Sequence, residues 1–202
     1  MAEKYTNLDI NSIRSMTVED INNKIDLDPA DLGEPTRYAY YPKNTAKEMV
    51  GEEEYNNKKY TRVKHNSLYS GITDYKFLKG ADGVDGGGEE YIENGITYLR
   101  PTDEKPVYVT ETFYTYNPKT TSYAKAKENQ QKVSDILGSS YGWLASPCVY
   151  CGADYAYFDV RYASGSSVIS NSLFDSDGNS HSLSNGVRPL VSLSSGLLEL
   201  AP

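Results

Sequence analysis

YGWLASPCVYCGADYAYFDVRYASGSSVISNSLFDSDGNSHSLSNGVRPLVSL, residues 141 to 193, is the stretch whose reading decides the fold. Two apolar anchors, Gly142-Trp143-Leu144-Ala145 and Gly186-Val187-Arg188-Pro189-Leu190-Val191, bracket a tract written in Tyr, Ser, Gly, Asn and Asp. No lysine follows Lys132, and strictly between the anchors Arg161 is the one basic residue apart from His181. A plain solvent face would carry lysine and glutamate. Tyrosine instead offers contact area with few rotors to freeze, and Ser, Gly and Asn offer adaptable hydrogen bonds, which is the vocabulary of binding surfaces. The anchors therefore read as fixed scaffold and the tract as a displayed recognition surface.

Within the tract, turn chemistry cuts the chain into a meander of short strands. Residues 155 to 162 alternate, with Phe158 and Val160 on one side and Tyr157, Asp159 and Arg161 on the other. A turn at residues 164 to 167 leads to a strand over 168 to 174. Asp177-Gly178 suits a type I′ hairpin, because both central residues of that turn need positive φ. The return strand runs to Leu183, Asn185-Gly186 turns again, and residues 187 to 193 form a last buried strand.

Upstream, Thr17 and Asp20 have capping-box spacing ahead of a short helix with Val18, Ile21 and Ile25 on one face. Residues 37 to 41 and 59 to 64 read as strands, the second with Tyr60 and Val63 turned inward, and residues 43 to 59 as a charged surface excursion. The glycines of residues 80 to 91, GADGVDGGGEEY, predict a flexible loop. Residues 95 to 99 and 107 to 116 are strands, the latter placing Val107, Val109, Glu111 and Phe113 on one face. A longer helix spans 122 to 137, rich in Ala, Lys, Gln and Glu, with Ala126, Val133, Ile136 and Leu137 as its apolar face and Gly138 as a C-cap.

Composition bounds the function. The chain has 202 residues, enough to bury a substantial core, and its 38% hydrophobic content includes 19 tyrosines, which can pack the ring and keep the hydroxyl wet. A net charge of −8 and a pI near 4.8 argue against non-specific nucleic-acid binding, which needs a positive surface. No run approaches the roughly 20 apolar residues of a membrane-spanning helix, so no membrane insertion by this chain is expected. The N-terminus, MAEKYTNLDINS, carries no apolar signal segment. That leaves an intracellular protein, one carried to a surface within something larger, or one whose leader has been removed.

The anchor pair, GWLASP at 142 to 147 and Gly-Val-Arg-Pro-Leu-Val-Ser-Leu at 186 to 193, resembles the C-type-lectin-fold proteins related to formylglycine-generating enzyme. It is most similar to the variable proteins of diversity-generating retroelements of phages and gut bacteria. In that family, template adenines are mutated on copying, so that Asn (AAC) codons become any NNC codon. The resemblance covers residues 122 to 193. It implies an α+β, C-type-lectin-like fold, with mixed or antiparallel sheets, one or two helices and a C-terminal β meander, in a single domain over 1 to 202.

The variable ligand-binding region then falls at 146 to 186. No Lys, Glu, Gln, Met or Trp, none of which has an NNC codon, interrupts it. The ligand-binding candidates are Tyr150, Cys151, Asp154, Tyr155, Asp159, Tyr162, Ser166, Ser167, Ile169, Ser170, Asp175 and His181. The implied function is recognition of a protein or cell-surface ligand by a hypervariable receptor displayed on a phage particle or bacterial surface, with no chemistry and no cofactor. An undiversified structural or adhesion module of a phage tail or pilus is the alternative. A formylglycine-generating-like enzyme is a third reading.

Chemical sites were weighed against plainer roles. Cys148 and Cys151 lack the following helix of a redox site and the further ligands of a zinc site. They read as incidental surface cysteines, with a local disulfide open if the protein is exported. His65 and His181 have no nucleophile motif beside them. The acids Asp82, Asp85, Glu89 and Glu90 do not have EF-hand spacing, and Asp175, Asp177 and Asn179 are explained by the hairpin turn without calcium. Arg188 is expected to pair with a buried carboxylate or carbonyls, and Trp143 to sit in the core. No metal site is expected.

Overall fold

The structure, a computed structural model, describes residues 10–26, 34–43, 49–63, 76–111, 114–115, 122–137, 142–152, 156–164, 167–171, 186–187 and 189–193. In chain order these carry β1 (Ile10–Ser15), α1 (Val18–Asn22), β2 (Thr36–Tyr40), β3 (Glu52–Tyr55), β4 (Lys58–Arg62), β5 (Phe77–Leu78), β6 (Val84–Gly87), β7 (Glu89–Glu93) and β8 (Ile96–Arg100). There follow β9 (Val107–Glu111), β10 (Tyr114–Thr115), α2 (Tyr123–Leu137), β11 (Gly142–Cys151), β12 (Ala156–Ser164), β13 (Ser167–Asn171), β14 (Gly186–Val187) and β15 (Pro189–Leu193). The fold is α+β and mostly strand.

Two five-stranded mixed sheets organise the chain, one ordered β3-β4-β2-β9-β6 and the other β10-β13-β12-β11-β14. In each, one pair is parallel: β2 with β4, and β11 with β14. A three-stranded sheet β5-β8-β7 and the antiparallel pair β1-β15 complete the topology, so β1 and β15 lie side by side. Of the expected C-terminal meander, β12 and β13 are antiparallel neighbours, with β11 on the other edge of β12. The return strand to Leu183 lies outside the described residues. The single last strand expected over 187 to 193 is divided between β14, parallel to β11, and β15, paired with β1.

The short helix forms where its cap predicts. The Thr17 hydroxyl accepts the Asp20 N–H while the Asp20 carboxylate accepts the Thr17 N–H. The same carboxylate takes two nitrogens of Arg14 at 2.5 and 2.6 Å, which holds Asp20 far below the ordinary carboxylate range and ties β1 to α1. Val18 and Ile21 then pack with Met16, Val133, Leu144, Ala163 and Val168 in one apolar cluster. A second cluster fills the space between the sheets, with Tyr40, Phe77, Leu99, Val107 and Val109 meeting Val149, Cys151 and Ala156. Asn129, 1% exposed on α2, donates to and accepts from the Asp26 main chain just after α1.

Residues 80 to 91 are not a loose loop. They form β6 and most of β7, and they make the seam between the two large sheets. Asp82 N–H donates to the Pro147 carbonyl at 2.9 Å, and Val149 N–H donates to the Asp82 carbonyl at 3.1 Å. One residue later Thr110 N–H donates to the Gly83 carbonyl at 2.7 Å. The glycines serve close approach here. A Cβ on Gly83, whose φ is +90°, would stand 2.4 Å from the Thr110 carbonyl oxygen and 2.8 Å from a Val149 methyl. Gly87, with φ +81°, has the Pro106 carbonyl oxygen 2.2 Å from the same position. The glycine run predicted freedom, whereas the structure uses it to let backbones touch.

Gly83→Ala is therefore expected to destabilise the protein by about 2–3 kcal/mol, through positive φ and overpacking together. Gly80→Ala is the control, because its φ is also positive, +83°, but a Cβ there meets nothing within 4 Å. Urea unfolding followed by far-UV circular dichroism separates the two.

Candidate functional site

β11 is the strand on which the tract is mounted. One edge pairs with β12, from Gly142 opposite Ala163 to Cys151 opposite Ala156. The other edge is taken up piece by piece. Gly142 and Trp143 pair in parallel with Gly186 and Val187 of β14, so the two anchors lie against each other. Ala145 N–H donates to the Met16 carbonyl at 2.6 Å, and the Ser146 hydroxyl accepts the Val18 N–H at 2.9 Å. Asp82 covers Pro147 and Val149. Glu111, 3% exposed, accepts the Cys151 N–H at 3.3 Å. Finally the Tyr40 hydroxyl donates to the Gly152 carbonyl at 2.7 Å and accepts the Gly152 N–H at 3.2 Å. Pro147 fits mid-strand because Asp82 calls on its carbonyl and needs no N–H from it.

The register places the sequence-predicted candidates unevenly. Tyr150 is half-buried on β11, with Tyr157 opposite it. Ser167, Ile169 and Ser170 lie on β13, in register with Ser164, Tyr162 and Arg161 of β12. Asp154, Tyr155, Ser166, Asp175 and His181 fall outside the described residues, as do Arg188 and the Asp177-Gly178 hairpin.

Cys151, Asp159 and Tyr162 are buried, at 6%, 2% and 9% exposure, and stand as frame rather than as displayed side chains. Tyr162 packs edge-on to Trp143, with ring centroids 5.2 Å apart. The face of β12 that carries Asp159 and Arg161 points inward.

Arg161 explains that orientation. It is fully buried, its Nε donates to Asp82 Oδ2 at 2.8 Å, and its Nη2 lies 2.6 Å from the same oxygen. Its guanidinium also sits 5.2 Å from the Tyr114 ring centroid. Burial, reinforced by Asp82, pushes the Tyr114 hydroxyl up to about 12. From sequence, Asp82 stands out only as one of the acids weighed for calcium, and Tyr40 and Glu111 have no site role. Glu111 had left one signal, an acid on the apolar face it shares with Val107 and Val109.

The cysteines correct another expectation. Both thiols are free and buried rather than on the surface. Three positions apart in an extended strand, they project to opposite faces. Cys151 enters the inter-sheet cluster, and Cys148 stands near Arg161 and Asp159. Burial raises both, Cys148 to about 12 and Cys151 further with the help of Glu111. At neutral pH neither offers a thiolate.

Of the acids weighed for calcium, Asp82, Asp85 and Glu90 have other partners. Asp85 accepts from Tyr60 at 2.7 Å, from the Thr110 hydroxyl and from Lys58, and Glu90 pairs with Lys79. Among the described residues, no three His, Cys, Asp or Glu side chains are placed to share a metal ion. A cleft of about 210 Å³ opens between Thr17 and Glu19 on one side and Asp82, Ser146 and Pro147 on the other. Pockets that enclose a small molecule typically measure about 300–1,000 Å³. No described helix is long and apolar enough to cross a membrane. No family model matches the chain, and no curated protein or solved structure does so either.

Two measurements test this geometry. Ellman's reagent should leave both thiols unmodified for hours in the native protein and label two per chain in urea; rapid native labelling would place the thiols at the surface. Tyr162→Ala is expected to cost about 3 kcal/mol of stability, as for a buried aromatic, and a shift under about 0.5 kcal/mol in urea unfolding would return that ring to the displayed set.

Proposed function

We infer that this chain is a ligand-recognition protein. The frame is read as C-type-lectin-like, and residues 146 to 186 as a tract exchanged by a diversity-generating retroelement. The ligand is a protein or other cell-surface molecule, met from a phage particle or bacterial surface. The observation that carries the reading is the parallel pairing of β11 with β14, Gly142 with Gly186 and Trp143 with Val187. The chain leaves the frame and rejoins it at one place, so what lies between is bracketed by a hydrogen-bonded clasp. The tract's composition, tyrosine with small polar residues and no lysine, supports contact with a partner rather than with bulk water.

Burial narrows the exchangeable set. Cys151, Asp159, Arg161 and Tyr162 have lost their solvent, so exchange there costs stability. The candidates left for a ligand are Tyr150, Asp154, Tyr155, Ser166, Ser167, Ile169, Ser170, Asp175 and His181. The same buried positions favour the second reading, an undiversified adhesion or structural module of a phage tail or pilus, which needs no variation there.

DNA decides between them. The retroelement reading expects, beside the gene, a near-repeat of the tract with mismatches at adenines and a reverse-transcriptase gene. It also expects sibling strains to differ at Asp154, Tyr155 and Ser166 while keeping Asp159, Arg161 and Tyr162. Tracts identical across siblings, with no repeat nearby, would sink diversification. On either reading, Tyr155→Ala should shift the melting temperature by less than about 2 °C.

A further inference from the structure

We propose that Tyr40 and Glu111 are positioning residues that hold the outgoing end of β11 by its main chain, and so fix where the chain departs after Gly152 whatever side chains follow. The functional meaning rests on the recognition reading above; the clamp itself does not.

Both residues come from the other large sheet, Tyr40 from β2 and Glu111 from β9, which pair with each other through Tyr40 opposite Val107 and Thr36 opposite Glu111. Both are buried, Tyr40 at 0% and Glu111 at 3% exposure. The Tyr40 ring is fixed by Phe77 at 5.3 Å and Tyr38 at 6.1 Å between centroids, which leaves its hydroxyl aimed at one spot. That hydroxyl satisfies both main-chain groups of Gly152, and the Glu111 carboxylate satisfies the Cys151 N–H. Cys151 adds a thiol contact to Glu111 at 3.5 Å, but Gly152 is recognised through backbone alone.

A main-chain clamp reads only the path of the chain. Tyr150, one residue before it, can therefore change without releasing the base. The clamp also marks a boundary: residues up to 152 belong to the frame, and the hairpin end starts after it.

Amide hydrogen exchange on the free protein, read residue by residue by NMR, tests this. Tyr40→Phe keeps the ring and removes the hydroxyl. Exchange of the Gly152 amide should quicken about five- to tenfold, as for one lost hydrogen bond, while the Val107 and Val109 amides keep their rates. Glu111→Leu should do the same to Cys151, and Glu111→Gln, which keeps an acceptor oxygen, should restore most of the protection. Tyr150→Ser should leave Gly152 within about twofold of wild type.

Unchanged Gly152 exchange in Tyr40→Phe, or equal acceleration across β2 and β9, overturns the proposal, as does a tenfold change from Tyr150→Ser. If Tyr40→Phe fails to fold, the Glu111 pair of variants decides alone. Because no ligand enters the experiment, a clamp found intact beside invariant sibling tracts sinks only diversification. A missing clamp beside variable tracts sinks only this inference.

Discussion

The unpaired edge of β11 is the constraint that the rest of the molecule answers. A strand of ten residues, mostly buried, cannot leave one row of amides and carbonyls empty, since each buried unsatisfied group costs about 1–3 kcal/mol. Most sheets solve this with another full-length strand. Here, among the described residues, β14 covers Gly142 and Trp143, and further along the edge the partners are Met16, Ser146 turned back on Val18, Asp82, Glu111 and Tyr40. Each partner sits in or beside a different element of the N-terminal half. The order of those elements along β11 follows from which groups the strand still has to offer at each step.

The ion pair between Arg161 and Asp82 fixes the seam from the side-chain direction. A guanidinium with no solvent exposure must be compensated, and uncoupling such a pair typically costs about 3–5 kcal/mol, even where building it adds little net stability. Asp82 is therefore held twice, by its backbone to β11 and by its carboxylate to β12. That double hold sets the register of the glycine segment, and Gly83 can approach Thr110 and Val149 only in that register. Two weak specifications, a charged pair and a run of glycines, become one strong one because they act on adjacent residues.

Much of the local structure was legible in the sequence. The capping box at Thr17, the inward turn of Tyr60 and Val63, the helix at α2 and the antiparallel strands β12 and β13 all follow from rules of spacing within a few residues. The misses are of another kind. Alternation in β12 correctly groups Asp159 with Arg161, but period two says which residues share a face and not which face is inside. Polarity suggested outside, and a carboxylate 79 positions away reversed it. Glycines 83 to 88 carry the same ambiguity: freedom of φ and absence of a side chain look identical in sequence, and only the neighbouring Thr110 and Pro106 carbonyls reveal which is being used. Cys148 and Cys151 were misplaced because a Tyr- and Ser-rich context looks exposed even where both faces of a strand are covered. Which tract positions are buried cannot be read from the tract alone, since burial depends on Tyr40, Asp82 and Glu111, residues that lie 40 or more positions upstream of their contacts.

The contacts on β11 divide by whether they hold its main chain or its side chains. On its outer edge the contacts are made to backbone atoms: the Ala145 N–H, the Pro147 carbonyl, the Val149 and Cys151 N–H groups and both groups of Gly152. The main exception is Ser146, whose hydroxyl is itself the acceptor and which is buried accordingly. Where a side chain of the tract does the holding, as Arg161 and Tyr162 do, it sits at the centre of the sheet, against Asp82 and Trp143. Side-chain identity is thus demanded at Arg161, Tyr162 and the buried Cys151, whereas at the Gly152 end the hold is on the main chain. Any function that needs variety or a tailored partner surface has its room at that end, because there the frame asks the chain only for its path.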